Sequence, residues 1–217
     1  MRGIVRNLAA GFRELGVDDD TRVAMYSQTR MEWAQTDFAA LSAGAVVTTV
    51  YASSSPSQLR YLLADPEATV VVAENREMLA DVLAVRDDLG HELDAIVTVD
   101  DVDADDLDGD ADDVYGLGEV HALGEDAFDE AAYEGWIDAV GVDDLASLIY
   151  TSGTTGKPKG VRLTDGNFRD NVSQCYRRFA DRPDRDSDAP GISAESTTLS
   201  FLPLAHVFER MAGHYKM

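Results

Sequence analysis

Apolar positions in the first hundred residues follow two alternating patterns. In residues 3–15 they recur every three or four positions, the spacing of an amphipathic helix, and Gly16 follows as a predicted C-cap. In residues 22–26 they form an unbroken run, which is typical of a strand covered by helices on both faces. The same two patterns predict further helices at 30–43, 57–63 and around 78–83, and further strands at 45–51, 69–73 and 95–99.

Predicted strands and helices alternate along the chain, and this order is typical of βαβ units. The sequence therefore predicts an α/β fold with a parallel or mixed sheet flanked by helices. Residues 148–150 form the end of a further predicted strand, and residues 171–176 are predicted to be helical. No boundary between independent domains is indicated, so residues 1–217 are assigned to one domain.

Two polar segments interrupt this order, at 100–113 and 181–196. The first is a dense run of aspartates with a glycine at position 109, which raises the question of a calcium-binding loop. No glutamate follows Gly109 at the distance that an EF-hand loop requires. We therefore interpret both segments as solvated surface loops.

The chain is strongly acidic, with 41 aspartates and glutamates against 18 lysines and arginines, for a net charge of −23. A negative charge spread over the whole length repels phosphates, which argues against nucleic acid as a partner and against docking on an anionic membrane. Such an excess is relieved when salt screens it. The composition thus leads to the hypothesis of a protein from a salt-loving source.

Other general features exclude several classes of protein. Asp, Arg or Gly interrupts every apolar stretch before it could span a membrane, and residues 1–6 do not form a signal peptide. A cytoplasmic location is the resulting expectation. Cys175 is the single cysteine, which rules out an internal disulfide, and we interpret it as a packed side chain rather than a catalytic thiol.

A loop of glycines, hydroxyls and lysines follows the strand that ends at Tyr150. Glycines allow a backbone to turn tightly and to approach a ligand, and successive N–H groups in such a turn form an anion site. The hydroxyls can donate hydrogen bonds or ligate a magnesium ion on phosphate oxygens. Lys157 and Lys159 are two of only three lysines in the chain, so their position in this acidic protein points to an anionic ligand.

The spacing differs from that of a Walker loop, because Gly153 and Gly156 lie too close together and Pro158 follows Lys157. A kinase or an ordinary nucleotide triphosphatase is therefore disfavoured. The alternative without a function is a polar, glycine-rich hairpin that connects two strands. The length of the specific run, residues 150–160, favours a functional loop.

That run, Tyr-Thr-Ser-Gly-Thr-Thr-Gly-Lys-Pro-Lys-Gly, resembles the signature phosphate loop of the adenylate-forming enzymes, which include acyl-CoA synthetases and luciferases. Residues 41–47 resemble the helix-to-strand segment upstream in that family. Residues 202–210, Leu-Pro-Leu-Ala-His-Val-Phe-Glu-Arg, are similar to the form found in long-chain fatty acyl-CoA synthetases, and residues 60–65 also fit that branch. Asp165 departs from the pattern, since relatives commonly carry His there.

The resemblance implies a set of binding residues. The loop would hold the β- and γ-phosphates of ATP, with Thr155 as a ligand of Mg²⁺, through Thr151, Ser152, Gly153, Thr154, Thr155, Gly156, Lys157 and Lys159. Lys159 could instead stabilise the loop. His206 would be the catalytic residue at the acyl-binding end, with a structural histidine at a helix start as the alternative, and Glu209 could pair with Arg210 or with a later loop.

The reaction implied is the activation of a long-chain fatty acid to acyl-adenylate and then, with coenzyme A, to acyl-CoA. Residues 1–217 would form part of the N-terminal domain of that fold, without its downstream part and C-terminal lid domain. The chain alone would then be inactive, a truncated product or one half of a split enzyme whose second chain supplies the rest. A non-catalytic nucleotide- or pyrophosphate-binding module and another acid–CoA ligase branch are the alternatives.

Overall fold

The computed structural model describes residues 1–102, 112–151, 157–179, 197 and 199–211. The strands within this part are β1 (Arg22–Tyr26), β2 (Val46–Val50), β3 (Val70–Ala73), β4 (Ala95–Thr98), β5 (Val114–Gly116), β6 (Leu145–Thr151) and β7 (Lys159–Thr164). The helices are α1 (Arg2–Glu14), α2 (Met31–Ser42), α3 (Pro56–Ala64), α4 (Arg76–Arg86), α5 (Leu117–Ala127), α6 (Glu130–Ala139), α7 (Asp165–Phe179) and α8 (Val207–Glu209).

The seven strands form one mixed sheet in the order β5-β4-β3-β1-β2-β6-β7. Strands β1 to β6 pair in parallel, and β7 is antiparallel to β6. Strand β2 lies on one side of β1 and β3 lies on the other, so the direction in which strands are added reverses after β2. In open α/β sheets, ligands bind beyond the carboxyl ends of strands near such a reversal. The predicted α/β fold with a mixed, helix-flanked sheet is confirmed.

Helices cover both faces of the sheet, as the unbroken apolar strands require. Val23 and Met25 of β1 pack in a cluster with residues of α1, α2 and α5, on one face. Ala24 and Tyr26, which alternate with them, pack in a second cluster with residues of α3 and α4, on the other face. Every residue of β2, β3 and β4 is buried. Period-two alternation therefore places both sides of each strand in apolar cores.

Two glycines bring α1 and α5 into close contact. A methyl group on Gly11 would overlap the Val120 carbonyl, and one on Gly124 would overlap the Asn7 carbonyl. Backbone therefore packs on backbone where the helices cross, which a larger residue at either position would prevent.

Boundaries in the first hundred residues agree with the sequence prediction to within about three residues at the predicted ends. Gly16 has φ +85° and ends α1, as predicted. Helix α3 begins one residue earlier than expected. Ser55 is its N-cap and forms a capping box with Gln58, which makes Pro56 the first helical residue. The prediction missed β5, α5 and α6 altogether. Most of the two predicted surface loops lies outside the described residues.

The helix predicted around Cys175 is α7, in which Cys175 is half-buried. Thr164 caps this helix: its hydroxyl accepts from the Asn167 N–H at 3.3 Å, and its own N–H donates to the Asn167 side chain at 3.1 Å. Asp165, the departure from the family pattern, is therefore the first helical residue and not the cap. Among the described residues, no helix has both the length and the apolar character needed to cross a bilayer.

Candidate functional site

An open groove of roughly 1040 Å³ lies at the carboxyl ends of β2 and β6, with α3 as one wall. Parallel strands deliver the residues that follow them to this edge of the sheet. We call this space the groove and define it by Thr49, Tyr51, Tyr61, Asp65, Tyr150, Thr151, Lys157 and His206, with neighbouring residues of α3. Three of the predicted site residues, Thr151, Lys157 and His206, are thus brought together by the fold.

The predicted phosphate loop connects β6 to β7. Thr151, the last residue of β6, pairs with Lys159, the first residue of β7, so both ends of the loop lie side by side. Thr151, Lys157 and Lys159 are exposed to solvent. The loop is therefore a hairpin connection and also part of a groove, so the two interpretations of the sequence are compatible. Ser152, Gly153, Thr154, Thr155 and Gly156 lie outside the described residues.

Helix α3 contacts both ends of this hairpin. The Tyr61 hydroxyl donates to the carbonyl oxygen of Pro158 at 2.8 Å, and the Tyr150 hydroxyl donates to the Asp65 carboxylate at 2.6 Å. The Tyr61 and Tyr150 rings meet edge to face with centroids 6.0 Å apart. The Lys157 ammonium lies 5.3 Å from the centre of the Tyr61 ring, within the range of a cation–π contact.

Both tyrosines keep their protons at neutral pH and remain donors. Burial raises the pKa of the Tyr150 hydroxyl well above its usual value of about 10, and the hydrogen bond to Asp65 adds to the effect. The pKa of Tyr61 is raised by burial and by the nearby Asp65 charge. The contacts to Pro158 and Asp65 therefore persist across the neutral pH range.

His206 lines the groove at the start of α8. Its Nδ1 accepts from the Phe208 N–H at 3.1 Å, so the side chain caps this short helix. In the neutral ring the proton then sits on Nε2, on an exposed side chain that lines the groove. The structural role considered from the sequence is therefore present, and it leaves the second ring nitrogen as a potential donor.

Hydroxyls at the ends of β1 and β2 fix the segment that carries His206. The Thr29 hydroxyl donates to the Leu202 carbonyl at 2.8 Å and accepts from the Leu204 N–H at 2.9 Å. The Thr49 hydroxyl donates to the Ala205 carbonyl at 2.9 Å. Three hydrogen bonds thus attach residues 202–205 to the sheet edge, directly before His206.

A buried ion pair holds the other side of His206. Arg210 has no exposed surface, and its guanidinium donates to both carboxylate oxygens of Asp37 on α2, at 2.6 and 3.2 Å. A third bond reaches the Ser147 hydroxyl of β6 at 2.8 Å. The guanidinium also lies within 5.5 Å of the centres of the Trp33 and Phe168 rings. Bidentate geometry and aromatic contacts compensate for the desolvation of this buried charge.

Glu209 contacts a residue other than Arg210, one of the two partners considered for it. It is buried and accepts from the Ser200 hydroxyl at 2.7 Å, while the neighbouring Arg210 bonds to Asp37. In the described part of the chain the structure therefore records no ion pair between Glu209 and Arg210.

Sequence analysis did not identify Tyr61, Asp65 and Asp37 as part of the site. Tyr61 lies in the predicted helix 57–63 and Asp65 lies two residues beyond it, four residues from Tyr61, the spacing that shares a helix face, while Leu59 and Leu63 are buried in the core. That spacing was the available signal. Asp37 carried a weaker one, since it is an acid directly before the apolar run 38–41 of the predicted helix 30–43.

The groove suits an anionic ligand. Lys157 and Arg60 supply positive charge, and hydroxyls of Ser53, Ser54 and Ser57 also line it. Within the described ranges there is no group of three or more His, Cys, Asp or Glu residues that could hold a metal ion.

A sequence model of the AMP-binding enzyme family matches residues 2–216. Among curated proteins, the long-chain-fatty-acid–CoA ligase FadD15 of Mycobacterium bovis is 34% identical over 216 residues, covering 95% of this chain and 31% of that protein. The long-chain-fatty-acid–CoA ligase ACSBG1 of Rattus norvegicus is 31% identical over 204 residues, covering 94% and 26%. The chain thus spans less than a third of the length of these relatives.

Among solved structures, ATP-bound MatB of Rhodopseudomonas palustris superposes with a TM-score of 0.68 at 21% identity. The match covers 99% of this chain and 37% of that protein, and at this identity it supports the fold. The family match spans nearly every residue, including the hairpin and the segment that carries His206. The chain therefore belongs to the AMP-binding enzyme family.

Proposed function

We propose that this chain supplies the phosphate-binding part of an ATP-dependent long-chain fatty acid–CoA ligase. The observation that carries the proposal is the groove, which Lys157 and Thr151 of the hairpin line together with His206. Family membership and the names of the two curated relatives support an acid–CoA ligase that acts on long-chain acids. Residues 1–217 would form part of the N-terminal domain, with further parts of the site supplied elsewhere.

The hairpin is proposed to grip the β- and γ-phosphates of ATP. Lys157 provides charge at the groove wall, and Thr151 and the loop Ser152–Gly156 provide hydroxyls and backbone N–H groups. Thr155 is the proposed protein ligand of a Mg²⁺ ion carried by the phosphates. Lys159 is either a second phosphate contact or a residue that stabilises the hairpin, because it opens β7 opposite Thr151.

His206 is proposed to act at the reacting carboxyl group. Attack of a fatty acid carboxylate on the α-phosphate forms acyl-adenylate and releases pyrophosphate, and the thiolate of coenzyme A then displaces AMP. Such chemistry depends on positioning and charge neutralisation. Nε2–H of His206 is a donor that would orient the carbonyl oxygen of the acid or of the adenylate, since Nδ1 is held by the Phe208 N–H.

The test measures adenylate formation by pyrophosphate release in the whole protein that contains this sequence. Lys157→Ala removes one charge-assisted contact, so the KM for ATP should rise about tenfold or more. Arg2→Ala, which removes an exposed positive charge on α1, is the matched control and should leave the KM unchanged. Equal KM values for Lys157→Ala and the control would contradict the proposal.

The same assay separates the alternatives. If the protein binds ATP but releases no pyrophosphate with any acid offered as substrate, a non-catalytic binding module is favoured. Faster release with short-chain or aromatic acids than with long-chain acids would favour another branch of the family. Coenzyme A-dependent release of AMP from a long-chain adenylate is the result we expect.

A further inference from the structure

We propose that Tyr61 of α3 and Asp65, the C-cap of that helix, are positioning residues that clamp both ends of the β6–β7 hairpin and set Lys157 in place before a phosphate ligand arrives. This inference rests on the proposed function of the groove. Tyr61 and Asp65 lie in and directly after α3, far from the hairpin in sequence. Neither residue supplies a positive charge to a phosphate ligand.

The clamp acts on both strands of the hairpin at once. Tyr61 bonds to Pro158, just before β7, and Asp65 accepts from Tyr150, just before the end of β6. Because residues four apart on a helix share a face, one turn of α3 reaches both strands. Gly160 makes room for this arrangement, since a methyl group there would lie 3.2 Å from the Tyr150 ring.

The helix that carries the clamp is itself well anchored. Leu59 and Leu63, each two residues before a contact residue, are fully buried, and the Ser55–Gln58 capping box closes the first turn. A rigid support fixes a ligand-binding side chain more precisely than a loop does. Lys157 is exposed, and its ammonium lies 5.3 Å from the centre of the Tyr61 ring, a contact that favours a position at the groove wall.

Fixing a long side chain and the two strand ends beside it in advance lowers the entropy that binding must remove. Weakening the clamp should therefore raise the KM for ATP and leave kcat nearly unchanged, because no group that touches the reacting atoms is lost. Tyr61→Phe keeps both aromatic contacts and removes the bond to Pro158. Tyr61→Leu also removes the ring under Lys157, so its effect should be larger.

The test compares steady-state kinetics of these two variants in the whole protein. We expect the KM for ATP to rise about three- to tenfold in Tyr61→Phe and further in Tyr61→Leu, with kcat and the KM for the acid within twofold. Tyr150→Phe, which breaks the other arm of the clamp, should resemble Tyr61→Phe. Thermal unfolding of each variant, followed beside the kinetics, reports any general loss of fold.

Tyr133→Phe is the matched control. Its hydroxyl also bonds to a side chain, Ser42 at 3.4 Å, but it lies among the residues of α6 on the opposite face of the sheet. Its KM for ATP should equal that of the wild type. A KM for ATP in Tyr61→Phe within twofold of this control, or a matching rise in the KM for the acid, would overturn the clamp.

The outcome distinguishes the clamp from the proposed function. If the wild type forms adenylate and Lys157→Ala is impaired while both Tyr61 variants behave normally, the clamp alone is wrong. If the wild type neither binds ATP nor releases pyrophosphate with any acid, the proposed function fails and the clamp fails with it.

Discussion

The interior of the sheet and its β7 edge differ in how they are covered. Strands β2, β3 and β4 are buried throughout, whereas the first four residues of β7 are exposed, including the apolar Val161. We call β1–β5 with α1–α6 the core half, and β6, β7, α7 and residues 199–211 the groove edge. The core half supplies most of the buried apolar area on which stability depends, and the groove edge carries Thr151 and His206, two of the residues proposed to face a ligand.

A few specific hydrogen bonds join side chains of the groove edge to the core half. Arg210 reaches Asp37, Tyr150 reaches Asp65, and the Thr29 and Thr49 hydroxyls hold residues 202–205. Each of these bonds is polar, in contrast to the apolar packing between strands and helices of the core half. Substitutions on the two sides should therefore differ in kind as well as in size.

The largest effect is expected at the buried ion pair that joins the two regions. Arg210→Met removes the guanidinium that neutralises the buried Asp37 carboxylate, which should lower the free energy of unfolding by about 3–5 kcal/mol. Urea unfolding measures this change. The double variant Asp37→Leu/Arg210→Met removes both charges and should recover most of the loss. A single variant within about 1 kcal/mol of the wild type would show that the pair does not join the two regions.

A smaller loss is expected where α1 crosses α5, within the core half. Gly124→Ala forces the helices apart and should cost about 3 kcal/mol, because the added methyl overlaps backbone atoms. Gly118→Ala on the same helix is the control: no atom lies within 4 Å of its new methyl group, so it should be neutral or stabilise by up to about 1 kcal/mol. Equal midpoints in urea for the two variants would refute the close crossing.

Alkaline titration tests the core half by a different route. Burial raises the pKa of Tyr26 to about 12, and its hydrogen bond to Asp81 adds to the rise. In the unfolded chain the Tyr26 hydroxyl ionises near pH 10. Its contribution to the free energy of unfolding is therefore complete below pH 10 and is lost as the pH rises towards 12. The loss should be about 2 kcal/mol. Tyr26→Phe should show a correspondingly flatter decline in urea midpoint between pH 10 and 12; an unchanged slope would contradict this.

The smallest change in stability is expected from salt. Acidic residues occur in both regions, so salt should affect the core half and the groove edge alike. A net charge of −23 repels itself, and screening should raise the stability of the whole chain by about 1 kcal/mol, or 2–4 °C in Tm, between low and molar salt. Differential scanning at several salt concentrations measures the shift. Full stability in dilute buffer would argue against the hypothesis of a salt-loving source.

Sequence alone predicted the core half best where strands are buried on both faces. Val70–Ala73 is an unbroken apolar run, and such runs have few alternative structures. Helices α5 and α6 were missed because their buried positions give little apolar signal. In α5 one of the three buried residues is Gly124, and in α6 the described buried residue is Tyr133 alone.

The site was predicted only as far as contiguous motifs extend. The hairpin and His206 stand out in the sequence, and the fold places Thr151, Lys157 and His206 on one groove. The partners that position them are separated by long stretches of chain, as Tyr61 is from Pro158 and Asp37 from Arg210. Such pairs depend on the topology of the sheet, which no single segment encodes.

The three threonine bonds to residues 202–205 also bear on the order of folding. Each joins positions more than 150 residues apart, so the chain loses much entropy before any one of them can form. We expect residues 202–205 to reach their native position late in folding, on strands that have already formed. A partly folded molecule would then present its apolar core before it presents any place for a nucleotide, and the nucleotide would stabilise the finished state alone.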